Sequence, residues 1–135
     1  MANPTKVLVV DDEPHLQVFM TLLVRTTLTE VSVVAAGDEA TAMAQFHATR
    51  PDLVLLDINL IGSSGLDVLT QIRQVDPEVV VVMLTAVNVR QVIEEAMARG
   101  ANGYILKEAS EEEMADTLRE ILEADNDRAE APRQP

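Results

Sequence analysis

Five times along this chain a short apolar run is followed by a stretch whose apolar residues recur at helical spacing, and no other feature narrows the fold as far. The runs are residues 6–10, 31–35, 53–56, 79–84 and 103–106, each of strand length. After the first, Leu16, Phe19, Met20, Leu23 and Val24 fall at i, i+3, i+4, i+7 and i+8, one face of a helix. Ala40, Met43, Ala44 and His47 mark a second helix, and Leu66, Leu69, Ile72 and Val75 a third. Val89, Val92, Ile93, Ala96 and Met97 mark a fourth, and Met114, Leu118, Ile121 and Leu122 a fifth. The punctuation agrees. Pro14 stands where a first helical turn tolerates its missing N–H. Pro51 and Asp76-Pro77 close the second and third helices, and Gly100 stops the fourth. Ser110 with Glu113 three residues on is a capping box. Such alternation specifies an α/β fold, a doubly wound parallel sheet with helices on both faces. Right-handed crossovers restrict its topology further.

Ligands of such sheets gather at the carboxyl ends of strands, where the winding reverses. Here the strand ends carry the chemistry. The first run closes in Asp11-Asp12 and the third in Asp57; the fourth runs into Thr85 and the fifth into Lys107. Buried carboxylates are costly unless they share a cation or are paired, so three of them in this setting point to a divalent-metal site with a nucleophile. Acids closing the first and third strands put the switch point between them, which gives strand order 2-1-3-4-5. The 135 residues suit one domain. Aromatics are only 2% of the chain, so the core must be built from Val, Leu, Ile, Met and Ala. The lack of cysteine excludes disulfides, thiol catalysis and Cys-ligated zinc. A net charge of −13 argues against direct contact with nucleic acid or anionic lipid. The first residues lack a signal-peptide pattern, and the apolar runs fall short of the roughly 20 residues that span a membrane. A cytoplasmic protein is the expectation.

Val-Val-Asp-Asp-Glu-Pro, Leu-Leu-Asp-Ile-Asn-Leu, Met-Leu-Thr-Ala and Gly-Tyr-Ile-Leu-Lys, in that order, resemble the receiver domain of two-component response regulators. The resemblance covers residues 6–123 and implies a flavodoxin-like (βα)5 domain acting as a phosphorylation switch. It implies that Asp57 is the phosphoacceptor, attacking a phosphohistidine or a small acyl phosphate. Asp11 and Asp12 match the acidic pair that positions Mg²⁺, with Asp57 and the backbone carbonyl of Asn59 completing the protein ligands. Lys107 matches the lysine that pairs with a phosphoryl oxygen, Thr85 the hydroxyl that bonds another, and Tyr104 the aromatic switch. The implied partners are a sensor histidine kinase or a histidine phosphotransfer protein of a phosphorelay. Output would run through the face of the fourth helix, fifth strand and fifth helix, to a protein partner or a homodimer. No enzyme activity is expected beyond self-phosphorylation and autodephosphorylation.

The chain departs from the family pattern in places. Ile61 stands where many receivers have proline, and Glu108 follows Lys107 where many have a cis-bonded proline. The 3–4 kcal/mol typical of a non-prolyl cis bond predicts a trans Lys107–Glu108 peptide. Asn59 and Val87, two residues after Asp57 and Thr85, flank the path of a hydrolytic water in the family and suggest an intermediate aspartyl-phosphate lifetime. Residues 124–135 lose all periodicity and read as a disordered tail or a linker. Two other functions compete: a receiver that binds partners without phosphorylation, and a haloacid-dehalogenase-like phosphatase. The latter needs a second acid two residues after its nucleophile, where this chain has Asn59. His15 and His47 have no ligand partner at useful spacing and read as structural. Glu111, Glu112 and Glu113 sit where a helix dipole favours acids.

Overall fold

The computed structural model describes residues 5–86 and 88–130, with side chains through residue 127. Five strands, β1 (Thr5–Val10), β2 (Val31–Ala36), β3 (Leu53–Asp57), β4 (Val80–Thr85) and β5 (Gly103–Leu106), form one parallel sheet in the order 2-1-3-4-5. The helices are α1 (Pro14–Thr27), α2 (Glu39–Thr49), α3 (Gly65–Val75), α4 (Arg90–Ala98) and α5 (Glu111–Glu130).

The inner strands are continuous apolar runs because both of their faces are covered. Side chains alternate across the sheet. Leu8, Val10, Val54, Leu56, Val81 and Met83 point to one side and meet Ala42, Phe46, Val68, Leu69, Ile72 and Ala96, from α2, α3 and α4. Val7, Val9, Leu53, Leu55, Val82 and Leu84 point to the other and meet Met20, Leu23, Val24, Met114 and Leu118, from α1 and α5.

Local signals hold the elements in place. Asp38 caps α2 by accepting from the Thr41 N–H at 2.7 Å. Ser110 and Glu113 bond reciprocally at 3.1 Å, closing the capping box of α5. At the amino ends of β4 and β5, Arg73 of α3 donates to the carbonyls of Gly100, Asp76 and Val79 and to Asn102 Oδ1. Asn102 Oδ1 also accepts the Val81 N–H at 2.9 Å.

Some expectations need correction. The inward side of α2 is Ala42, Met43 and Phe46, while Ala40, Ala44 and His47 are exposed. Alanine occurs all round this helix, so periodicity is weak, and Phe46, with the most surface to bury, sets the orientation. Val75 and Met97 are also exposed, and Val89 is the N-cap of α4. A small ribbon follows β3, for which the apolar runs gave no sign: Asn59–Leu60 pairs antiparallel with Ser63–Ser64, and Gly65 opens α3. The helix α5 continues through seven residues, 124–130, expected to be tail. No Gly or Pro interrupts that stretch, and propagating an established helix needs favourable propensity, not an apolar face. Residues 131–135 lie outside the described residues.

Candidate functional site

The sheet register assembles the site. Val10 lies opposite Leu56, Asp57 opposite Leu84, and Thr85 opposite Leu106. Asp11 and Lys107 therefore lie one residue beyond the ladder, beside Asp57 and Thr85, which are its last members. Four residues distant in sequence meet at one sheet edge because each strand ends in step with its neighbour.

Asp11 is fully buried, Asp57 is 3% exposed and Thr85 is 1% exposed. Asp57 Oδ1 accepts the Asn59 N–H at 3.0 Å, and its Oδ2 accepts from Lys107 Nζ at 3.0 Å. Asp11 Oδ1 accepts the Glu13 N–H at 2.9 Å. Lys107 Nζ lies 3.0 Å from Asp11 Oδ2 as well, so one ammonium spans both buried carboxylates. That second contact is a charge contact off the direction of a hydrogen bond, and Asp11 Oδ2 accepts no hydrogen bond among the described residues. Asp12 completes the cluster: one carboxylate oxygen from each of Asp11, Asp12 and Asp57 lies within 4.8 Å of the others.

Burial raises the pKa of Asp57 above the ordinary carboxylate value; the Asn59 N–H and Lys107 only partly offset it, and the Asp11 charge adds to it. For Lys107, burial favours the neutral amine, but the two carboxylates outweigh it and hold its pKa above the ordinary value. Three acids facing one cation leave surplus negative charge at a water-accessible rim. A buried Asp11 oxygen whose one partner among the described residues is the Lys107 ammonium, together with an all-oxygen donor set, fits a hard divalent cation such as Mg²⁺. Chemically, the site offers a desolvated carboxylate nucleophile, an ammonium to pair with an incoming anion, and a hydroxyl beside it.

Tyr104 lies opposite Met83, two residues before Thr85, so both side chains face the α4 side of the sheet. It is partly buried against that core. It also lines a groove of about 450 Å³ with Met97, Leu106, Met114, Thr117 and Ile121, between α4, β5 and α5. Asn59 is exposed at the start of the small ribbon. Lys107–Glu108 is trans, as no cis peptide bond occurs among the described residues. Val87 lies outside them. His15 is exposed and pairs with Glu13 at 3.2 Å, and His47 packs edge-on against Phe46; neither reaches the acids.

Two residues that support the site were not singled out from sequence for this role. Gln17 donates to the carbonyl of Asp11. Gly65 lies so close to the Asp57–Ile58 peptide that a Cβ there would meet the Asp57 carbonyl oxygen. The only sequence signal was a glycine next to a helix start, which many turns share.

A family model described as the response regulator receiver domain matches residues 7–119. The probable transcriptional regulatory protein TcrX of Mycobacterium tuberculosis is 37% identical over 89% of this chain, which spans 50% of TcrX. Protein CcdB of Bacillus subtilis is 32% identical over 87% of this chain and 98% of its own length. Among solved structures, NtrX of Brucella abortus superposes with a TM-score of 0.85 at 28% identity, covering 94% of this chain and 29% of NtrX. A CheY-like receiver domain of Methanospirillum hungatei superposes at 0.81 with 21% identity, over 93% of this chain and 99% of its own, and supports the fold.

Proposed function

The chain belongs to the response regulator receiver domain family of two-component signalling, and we propose that within it Asp57 is the phosphoacceptor of a Mg²⁺-dependent switch. The observation that carries this is the cluster itself: three strand-end carboxylates within 4.8 Å, two of them bridged by one lysine. Asp11, Asp12, Asp57 and the backbone carbonyl of Asn59 would hold the ion. When bound, it neutralises charge between carboxylates and phosphoryl oxygens.

A carboxylate oxygen of Asp57 attacks phosphorus and forms a new P–O bond. The donor's P–N or P–O bond breaks and its electron pair leaves with the donor. Asp57 suits this role because burial has stripped solvent from it while the Asn59 N–H and Lys107 keep it oriented. Lys107 pairs with a phosphoryl oxygen as charge shifts onto the phosphoryl group. Thr85 donates its hydroxyl to another of these oxygens. Its shift opens space for Tyr104 on the same face of the sheet, which biases a two-state surface at α4, β5 and α5.

Receiver domains of response regulators interact with sensor kinases, and we propose a histidine kinase or a histidine phosphotransfer protein as the phosphodonor. The groove beside Tyr104 is the proposed output surface, for a protein partner or a second copy. Turnover is confined to self-phosphorylation and autodephosphorylation. The residue two after Asp57 is Asn59, which gives its backbone N–H to the carboxylate; a phosphatase of the haloacid-dehalogenase type would need an acid there. The expectation of no nucleic-acid contact gains no support from the relatives, since MtrA of Mycolicibacterium smegmatis is named a DNA-binding response regulator. This chain spans about half their length. We therefore restrict that proposal to the acidic residues present here. Among the described residues no helix is long and apolar enough to cross a membrane, and a cytoplasmic location remains a proposal.

Intact mass after incubation with acetyl phosphate tests the reading. One phosphoryl group, added only with Mg²⁺ and absent from Asp57→Asn, is expected. No phosphate on folded, Mg²⁺-binding protein would shift the reading to a partner-binding receiver regulated without phosphorylation.

A further inference from the structure

We propose that Gln17 is a positioning residue for the acid pair: it holds the Asp11–Asp12 peptide so that Asp12 presents its carboxylate to a divalent cation. This rests on the reading of the acids as a Mg²⁺ site. The basis is geometric. β1 pairs with β2 and β3 only as far as Val10, opposite Ala36 and Leu56. Asp11 is the first residue past the ladder. Its N–H still reaches the Ala36 carbonyl at 3.0 Å, but its own carbonyl has left the sheet. A carbonyl on a fully buried residue needs a donor. Gln17 supplies it: Nε2 donates to Asp11 O at 2.6 Å and to Ala36 O at 3.3 Å. One side-chain amide on α1 thus ties together the carboxyl ends of β1 and β2.

The Gln17 N–H donates to Glu13 O at 3.1 Å and Thr21 Oγ1 donates to Gln17 O at 2.8 Å; both are bonds to the backbone of α1, and neither touches the side-chain amide. The dependence of Asp12 on this arrangement follows from what the other acids have. Asp57 is fixed by the Asn59 N–H and Lys107, and the Asp11 carboxylate by the Glu13 N–H and Lys107. Among the described residues the Asp12 carboxylate makes no hydrogen bond and no ion pair. No side-chain bond fixes it, so its reach toward a cation starts from the backbone position of Asp12, and Gln17 holds the peptide plane that precedes that residue. Groups hydrogen-bonded directly to a metal ligand typically govern affinity by about 10–100-fold, and Gln17, acting through the backbone, is expected at the lower end of that range.

The test is a Mg²⁺ titration by calorimetry of the whole chain, wild type beside Gln17→Met, Gln17→Ala and Thr21→Val. Gln17→Met keeps the length of the side chain and removes the donor. Its Mg²⁺ Kd is expected to rise about tenfold. The Mg²⁺ concentration for half-maximal phosphorylation by acetyl phosphate should rise in parallel, and the rate at saturating Mg²⁺ should be retained. Gln17→Ala admits water to the freed carbonyl, so it keeps the fold should the methionine variant lose it, and it should move Kd in the same direction. Thr21→Val removes a neighbouring bond on the same helix and should leave Kd in place. Wild-type affinity in both Gln17 variants would overturn the proposal, as would an equal loss in Thr21→Val, which would mark a general loosening of α1. A wild-type protein that binds no Mg²⁺ would instead bring down the cation reading, and this proposal with it.

Discussion

Replacing Gly65 by alanine sets two measurable effects against each other. Gly65 is the first residue of α3, and its N–H donates to Ile58 O at 2.7 Å. A Cβ at this position would collide with the Asp57 carbonyl oxygen and lie 2.9 Å from the Asp57 carbonyl carbon and Ile58 Cα. A carbon–oxygen contact normally settles near 3.3 Å or beyond, so something must retreat by more than about 1 Å. The sheet side is pinned: Asp57 pairs with Leu84, the Ile58 N–H donates to Leu84 O, and the Asn59 N–H to Asp57. The amino end of α3 must therefore yield, and its bond to Ile58 is lost. Helix propensity alone would make alanine better by about 1 kcal/mol. Overpacking costs about 1–3 kcal/mol and the lost hydrogen bond about 1 more, so destabilisation should win by about 1–3 kcal/mol. With a urea slope of about 2 kcal/mol per molar, the midpoint should fall by about 0.5–1.5 M. The strain also reaches the segment that carries Asp57, the proposed phosphoacceptor. Asp57 phosphorylation by acetyl phosphate at saturating Mg²⁺ should slow by at least tenfold, since a misplacement of about 1 Å can cost as much as 100-fold. An unchanged or higher midpoint together with an unchanged rate would refute the steric argument.

Two further expectations test the electrostatics and the frame. The folded state holds the Asp57 proton more tightly than the unfolded chain does, chiefly through burial. Below the ordinary carboxylate pKa this group carries no penalty; as pH rises through its raised pKa, ionisation lowers stability. Without Mg²⁺, Asp57→Asn should thus melt at a higher temperature than wild type near pH 7, with the difference shrinking toward pH 4 in scanning calorimetry. A pH-independent difference would contradict this. At the far end of the sheet, Asn102→Ala strands the buried Val81 N–H and removes one hydrogen bond of the Arg73 guanidinium. It should lose about 2–4 kcal/mol in urea unfolding, and Asn102→Asp, which keeps an acceptor, should recover most of that.

The residues that meet at the candidate site were legible because their signal is local. A strand's apolar run needs no knowledge of its neighbours, and an acid, hydroxyl or amine that terminates it is visible at once. Asp11, Asp57, Thr85 and Lys107 stand out on that basis, and the order 2-1-3-4-5 follows from asking where three acids could meet. The capping box at Ser110 and Glu113 was equally local, and both of its bonds are present. The inward side of α2 was not legible, because a helix with alanine on every side has no face of its own until Phe46 finds the core. The extent of α5 was missed for the converse reason: helix can continue on propensity after amphipathicity ends.

What the sequence by itself determined is therefore the five strands of the main sheet, the five helices, their alternation and the identity of the groups at the strand ends, all carried by hydrophobic period and turn chemistry within a few residues. What only the tertiary structure decided is how those groups touch. Lys107 spanning Asp11 and Asp57, Gln17 holding the carbonyl of Asp11, and Gly65 pressed against the Asp57 peptide join residues 6 to 96 positions apart. Such contacts depend on register and on distances of a few tenths of an ångström, which follow from packing the whole core at once and leave no mark in any short stretch of chain.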